Sequence, residues 1–335
     1  MKLGNKPIKE LLVENVLYII LIGIIVIITI MRPNFFSAAV AKDILMQSSV
    51  RILVALGCMF IIIAGSADLS GGRMLGFAAL VSASLAQRGD FANKFWPNLA
   101  EMPIIVPIVA AIFVGLMFGL FNGLVVSKLK VPAFLATLGA QMIIFGFSSL
   151  YFNMEPNSSQ PLGGFTTSFK ILGTKSFLGV PIIGIISIVC LFLVWILLNK
   201  TCIGKQMYAT GGNLEAARVS GINITKITLI TFGIAGGFYG LAGCLEAART
   251  SCATSSYGLA YELDAIASCI VGGCSIKGGV GTVQGVFVGV IIFNVISYGL
   301  TFVGIDPYWQ NIVKGSIIIA AVAIDVRKYS LSKSN

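Results

Sequence analysis

The sequence predicts an all-α integral membrane protein of about ten transmembrane helices in two inverted five-helix halves, with both termini cytoplasmic. Three observations carry that expectation. Of the 335 residues, 57% are hydrophobic and 11% charged, whereas soluble domains carry roughly 25% charged residues; the mean hydropathy is +0.95. Apolar runs near the roughly 18 to 25 residues that a helical crossing needs recur along the whole chain. Two of the expected spans are short, and they hold equivalent places, third and eighth.

The spans follow in order. Residues 15–31 form the first. A basic start, an apolar run and Ala39-Val40-Ala41 resemble a cleaved leader. The run is longer than a leader core, and its removal would leave an odd number of crossings, so it is read as a retained span. Residues 44–64 and the short 74–86 come next, joined by Gly65-Ser-Ala-Asp-Leu-Ser-Gly-Gly72. Residues 103–126 and 132–152 complete the first half. The second half comprises 180–198, 227–247, the short 264–274, 282–302 and 308–324, with Gly272-Gly-Cys-Ser-Ile-Lys-Gly-Gly-Val-Gly281 after the short span. Short or glycine-interrupted spans at matching places point to a transporter pathway. The symmetry rests on spacing, since no residue-level repeat is visible. No hydrophilic domain interrupts the spans, so 1–335 reads as a single transmembrane domain. The longest inner loop is 199–226, and the longest outer loop, 153–179, suits a short lid or docking surface.

Lys and Arg set the orientation. With the N-terminus inside, inner segments hold fourteen of them and outer segments seven, leaving aside Arg51 and Lys314 within spans. The net charge of +10 is therefore a topology signal and a match to anionic membrane lipid. Basic residues scattered over separate loops exclude a nucleic-acid partner. With no histidine, histidine acid–base catalysis and histidine metal sites are excluded. Seven cysteines without Cys-x-x-Cys spacing read as packing residues. Gly204-Lys205 is followed by Gln206, so the Ser/Thr that a phosphate loop needs for Mg²⁺ is missing. The chain is expected to be no enzyme, with any ATP and Mg²⁺ bound by another polypeptide.

Three sets of residues are candidates for function. The first is a glycine-bounded island, Gly211, Gly212, Asn213, Leu214, Glu215, Ala216, Ala217, Arg218 and Gly221, inside the inner loop. Asn213 is a helix N-cap, Glu215 complements the dipole in the first turn, and Gly221 closes the end. A helix so short does not persist alone in water, so it must pack on something. Leu214, Ala217 and Arg218 are expected to offer an apolar knob beside a charge.

The second set comprises glycines four apart, Gly115/Gly119/Gly123, Gly236/Gly240 and Gly281/Gly285/Gly289, which let helices approach closely. The third is polar. Gln47, Asn122, Thr137, Gln141, Asn294 and Tyr298 lie within spans and Asp68 lies in a glycine-rich turn, with capping of the third helix as its simplest role. Neutral hydrogen-bonding groups suit an uncharged, hydroxyl-rich solute, and interhelical hydrogen bonds explain the same residues. Glu246 and Arg249 are placed to pair, Lys314 to snorkel, and the charges to avoid the bilayer centre, which disfavours an ion-coupled carrier and an intramembrane enzyme.

Gln47-Ser-Ser-Val-Arg51, Ala67-Asp-Leu-Ser-Gly-Gly-Arg73, Gly211-Gly-Asn-Leu-Glu-Ala-Ala-Arg-Val-Ser-Gly221, Tyr261-Glu-Leu-Asp-Ala-Ile-Ala267 and 271–281 together resemble the ABC importer permeases of the ribose/xylose/galactose family. Asp306-Pro-Tyr-Trp-Gln310 and Asn199-Lys-Thr201 are most similar to its galactose/methyl-galactoside members. The resemblance implies a bacterial inner-membrane, multi-pass permease for a neutral monosaccharide. Its implied partners are a second copy of the permease, a cytoplasmic ABC ATPase docking at 211–221, and a periplasmic sugar-binding protein. A ribose or other pentose permease is the alternative within the family, and an ion-coupled secondary sugar carrier the alternative outside it. The family's usual proline after Gly-Gly-Asn is Leu214 here, and its commoner Gly-Gly-Ile-Asp is Gly65-Ser-Ala-Asp, which weakens a role for Asp68.

Overall fold

The computed structural model describes residues 16–331. Asn15 and the basic residues Lys2, Lys6, Lys9 and Lys333, used above for orientation, lie outside the described residues. The helices are α1 (Val16–Met31), α2 (Ala38–Ile63), α3 (Gly71–Leu85), α4 (Ile105–Ser127), α5 (Ala133–Asn153), α6 (Thr167–Thr174), α7 (Ile182–Lys200), α8 (Cys202–Gly212), α9 (Leu214–Val219), α10 (Ile224–Thr250), α11 (Tyr261–Val271), α12 (Val283–Val303) and α13 (Pro307–Leu331). Each expected span falls on a helix. Among the described residues, α2, α4, α5, α7, α10 and α12 are each long and apolar enough to cross a membrane. The short pair corresponds to helices α3 and α11, the latter only 11 residues, or roughly 16 Å at 1.5 Å per residue. That is about half of a hydrocarbon core.

Two helices form the centre. In α2 the run from Ile52 to Ile63 is buried throughout, and α10 is buried along most of its inner-facing turns. They meet through Tyr239, whose ring fills the space left by two glycines. A Cβ at Gly57 would lie 2.7 Å from the ring, and one at Gly71 2.8 Å. Around them the neighbour pattern repeats. Helix α10 packs on α2, α3 and α4, while α2 packs on α10, α11 and α12. Helix α3 packs on α4 and α5, as α11 does on α12 and α13, and the pair α4–α5 matches the pair α12–α13. The opening helices break the pattern: α7 packs on α2, but α1 packs on α12.

The spaced glycines act as expected. A Cβ at Gly236 would sit 2.1 Å from the Gly115 carbonyl oxygen, and one at Gly119 2.2 Å from that of Phe232, so α4 and α10 touch backbone to backbone. Gly285 and Gly289 do the same against Gly272 and Ser268. Cys58, Cys244, Cys269 and Cys274 are buried among the helices.

The segment after α5 is pinned rather than free. Leu162 and Ala253 exchange backbone hydrogen bonds of 2.9 Å, and Gln87 donates from Nε2 to the Gly163 carbonyl at 3.0 Å. Strands β1 (Ser176–Phe177) and β2 (Val180–Pro181) form a small antiparallel hairpin beside it. Phe95, Phe165 and Phe169 are buried beneath this cap.

Candidate coupling and translocation site

The arm between α7 and α10, expected from the sequence to be an inner loop, is built from three capped helix starts. Thr201 is extended, and its hydroxyl accepts from the Gly204 amide at 3.2 Å to open α8. Asn213 is extended again (φ −156°, ψ 104°), ending α8; its Oδ1 accepts from the Ala216 amide at 3.0 Å, opening α9 as the sequence predicts. Gly221 turns the chain at φ +83°, and Asn223 Oδ1 accepts from the Lys226 amide at 3.0 Å to open α10. Each cap satisfies an amide that the first helical turn leaves without an internal partner.

The island differs from the expectation in two respects. Gly211 and Gly212 are the last residues of helix α8, not loop before a helix. Gly211 is also wedged inward, since a Cβ there would lie 1.8 Å from the Ile63 carbonyl oxygen. Ala217 is 3% exposed and faces the protein, on a helix packed against α8 and α10. The outward apolar residues are Leu214, 44% exposed, and Val219, 88% exposed. Beside them Glu215 and Arg218 are exposed and paired at 3.0 Å. The exposed face of α9 is therefore Leu214, Val219 and this ion pair.

The polar residues separate into two groups, called inner and outer after the orientation expected from the sequence. In the inner one, Asp68 Oδ1 accepts from the Ser70 amide at 2.8 Å and from its hydroxyl at 2.6 Å. Asn122 Nδ2 donates to Ser70 Oγ at 2.8 Å, and Thr137 Oγ1 accepts from the Leu69 amide at 3.1 Å. Asp68 thus ties a turn rather than capping α3 directly, and the turn is bolted to α4 and α5. In the outer group, Asn294 Nδ2 donates to Ser48 Oγ at 2.7 Å and to the Ile44 carbonyl at 3.0 Å, while Tyr298 donates to Asp43 at 3.2 Å. Gln47 and Gln141 are half-buried and, among the described residues, have no hydrogen-bond partner. Asp68, Asn122, Thr137 and Asn294 are all sealed from solvent, and Asp68 Oδ2, Asn122 Oδ1 and Asn294 Oδ1 are left unpartnered.

One cluster of mostly buried charges joins three helices. Asp264, in the first turn of α11, accepts from Lys314 of α13 at 3.0 Å and from Arg51 of α2. All three side chains are mostly buried. Arg51 lies 5.2 Å from the centre of the Tyr261 ring, and Tyr261 donates to Glu246 at 3.0 Å. Glu246 also holds Arg249 at 2.8 Å, the pair that the sequence predicts. Lys314 is thus ion-paired within the protein. Opposite charges on different spans of a charge-poor chain were the signal for this network.

The region 40–322 matches the family described as branched-chain amino acid transport system / permease component. The galactose/methyl galactoside import permease protein MglC of Haemophilus influenzae is 46% identical over 97% of both chains. The MglC of Escherichia coli K12 is 44% identical over 99% of both. The ribose import permease protein RbsC of E. coli K12 is 36% identical over 96% of both. No solved structure matches the chain. Its apolar helices and its relatives make it a multi-pass membrane protein, and with the family model covering most of its length, the chain belongs to the branched-chain amino acid transport system permease family.

Proposed function

We propose that this chain is the transmembrane permease subunit of an ATP-driven, binding-protein-dependent importer for galactose and methyl galactosides in a bacterial inner membrane. The observation that carries the reading is near-complete alignment, at 44–46% identity, with permeases named for that import. Ten crossings in two inverted five-helix halves, with both termini inside, fit the repeated neighbour pattern of α2–α5 and α10–α13. Five helices per half make equivalent helices run in opposite directions.

The mechanism is alternating access. A periplasmic binding protein delivers sugar at the outer cap, and a cytoplasmic ATPase, which holds ATP and Mg²⁺, docks on α9. Its closure pushes the arm and opens the pathway inward. Two copies of the chain enclose that pathway. Sealed polar residues within one copy support this, as does the face of α5 around Gln141, where Gly139 and Gly146 meet nothing. The unpartnered acceptors of Asp68, Asn122 and Asn294 suit a hydroxyl-rich solute once the helices part. Asp264 is already held by two cations, so it is no free carboxylate for ion coupling.

The test is uptake of labelled methyl-β-galactoside by cells lacking this gene, with and without its restoration. Restored uptake blocked by galactose but not ribose is expected. Restoration of ribose uptake alone would move the chain to the ribose permeases, the second reading that the 36% relatives support. A Glu215→Arg/Arg218→Glu variant, which inverts the charge pattern on α9, is expected to insert normally and lose uptake at least tenfold.

A further inference from the structure

Three segments of backbone meet at the inner end of the molecule, with no side chain between them. The first is the end of α2 and its turn toward α3, at Ile63 and Gly65. The second is the last turn of α8, at Gly211 and Gly212. The third is the loop after α11, at Gly278 and Gly279. A Cβ at Gly211 would lie 1.8 Å from the Ile63 oxygen and 2.7 Å from the Gly279 nitrogen. One at Gly278 would lie 2.7 Å from Gly65 Cα and 2.8 Å from the Gly211 oxygen, and one at Gly279 2.7 Å from Gly212 Cα. The Gly279 amide donates to the Ile63 carbonyl at 2.8 Å, and Tyr208 of α8 donates to the Gly281 carbonyl at 2.8 Å. Gly65, Gly278 and Gly279 hold φ of +77°, +88° and +73°, which side chains with a Cβ rarely adopt.

From this we infer that Gly211, Gly278, Gly279 and Tyr208 are positioning residues that carry the partner's stroke from the arm to both short helices at once. This rests on the docking of an ATPase at α9. Only Asn213 separates the end of α8 from α9, so a push on α9 displaces the last turn of α8. Close-packed backbone transmits displacement, whereas flexible side chains would absorb it. The turn at Gly65 leads into α3, which begins at Gly71, and the loop at Gly278 follows α11, which ends at Val271. The two helices at equivalent places in the two halves thus share one contact with the arm. Static packing alone would account for the glycines. Tyr208, however, bonds the arm to the loop without filling a glycine gap, and its loss tests linkage rather than space.

The experiment reconstitutes the full permease with its ATPase and binding protein in vesicles, and reads sugar moved per ATP hydrolysed. Gly279→Ala is expected to keep ATP hydrolysis within twofold and lower uptake at least tenfold. Tyr208→Phe, which keeps the ring, is expected to lower uptake about threefold with hydrolysis unchanged. Gly23→Ala, on α1 where a Cβ meets nothing, serves as the unaltered reference. Uptake per ATP within twofold of that reference in Gly279→Ala overturns the inference; if that variant fails to insert, unchanged uptake per ATP in Tyr208→Phe overturns it. Normal uptake in Glu215→Arg/Arg218→Glu overturns the docking reading whatever these variants do. Normal uptake in Tyr208→Phe, with the charge-inverted variant uncoupled, overturns the relay alone.

Discussion

Asp264 joins three helices through one carboxylate, accepting from Lys314 at 3.0 Å and from Arg51. Asp264→Asn leaves two mostly buried cations without their counter-charge. Breaking such a pair is strongly unfavourable, whereas replacing all its members by apolar residues is often neutral. The expected loss is about 3 kcal/mol, seen as a lower unfolding temperature of the detergent-extracted protein. Arg51→Met/Asp264→Leu/Lys314→Met is expected to recover most of it; no recovery would show that the charges serve packing by some other route. The partners themselves are legible in the sequence as charges within spans, but their meeting is not, since Arg51 and Asp264 lie 213 positions apart. Local chemistry is easier to read. Asn213 caps its helix and Glu246 pairs with Arg249 because both effects act within one helical turn. Ala217 shows the limit: its place on α9 is readable, but the neighbour that buries it is not.

Among the elements, α9 tests the effect of Leu214 where the family has proline. Leu214 is the first residue of the helix, a position whose amide has no internal partner, so proline costs little there. Leu214→Pro is expected to keep uptake within twofold. Asn213→Ala removes the bond to the Ala216 amide and destabilises the helix by about 1 kcal/mol, with uptake falling several-fold in the same assay. At the α4–α10 crossing, Gly236→Leu forces the helices apart. The expected cost is at least ~3 kcal/mol, checked as lost insertion and lower thermal stability. This crossing is legible because four-residue glycine spacing has a single geometric use in apolar helices. Helix α8 is not, because Gly211-Gly212 reads as a break in local propensity. The close contact with Ile63 and Gly279 needs Gly211, whereas a Cβ at Gly212 would meet nothing, and tertiary packing overrides the propensity.

For the whole molecule, hydropathy makes the expected spans legible, each of them on a helix, and places the short pair at α3 and α11. The neighbour pattern that relates α2–α5 to α10–α13 is a property of packing and leaves no residue-level repeat. The candidate residues for a solute's route are legible only as a set of polar residues. The structure gathers most of these around Ser70 and around Asn294, with Asp68, Asn122, Thr137 and Asn294 buried and Gln47, Gln141 and Tyr298 only partly so. The central claim is that an external ATPase, acting through α9, drives inward movement of a neutral sugar. The measurement that tests it most directly is labelled methyl-β-galactoside uptake in glycolysing cells under three conditions: partner ATPase intact, partner ATPase disabled, and ATPase intact with a protonophore added. Uptake lost without the ATPase and sustained with the protonophore is the predicted result. Uptake that survives a disabled ATPase and collapses with the protonophore would contradict the account and make the chain an ion-coupled carrier.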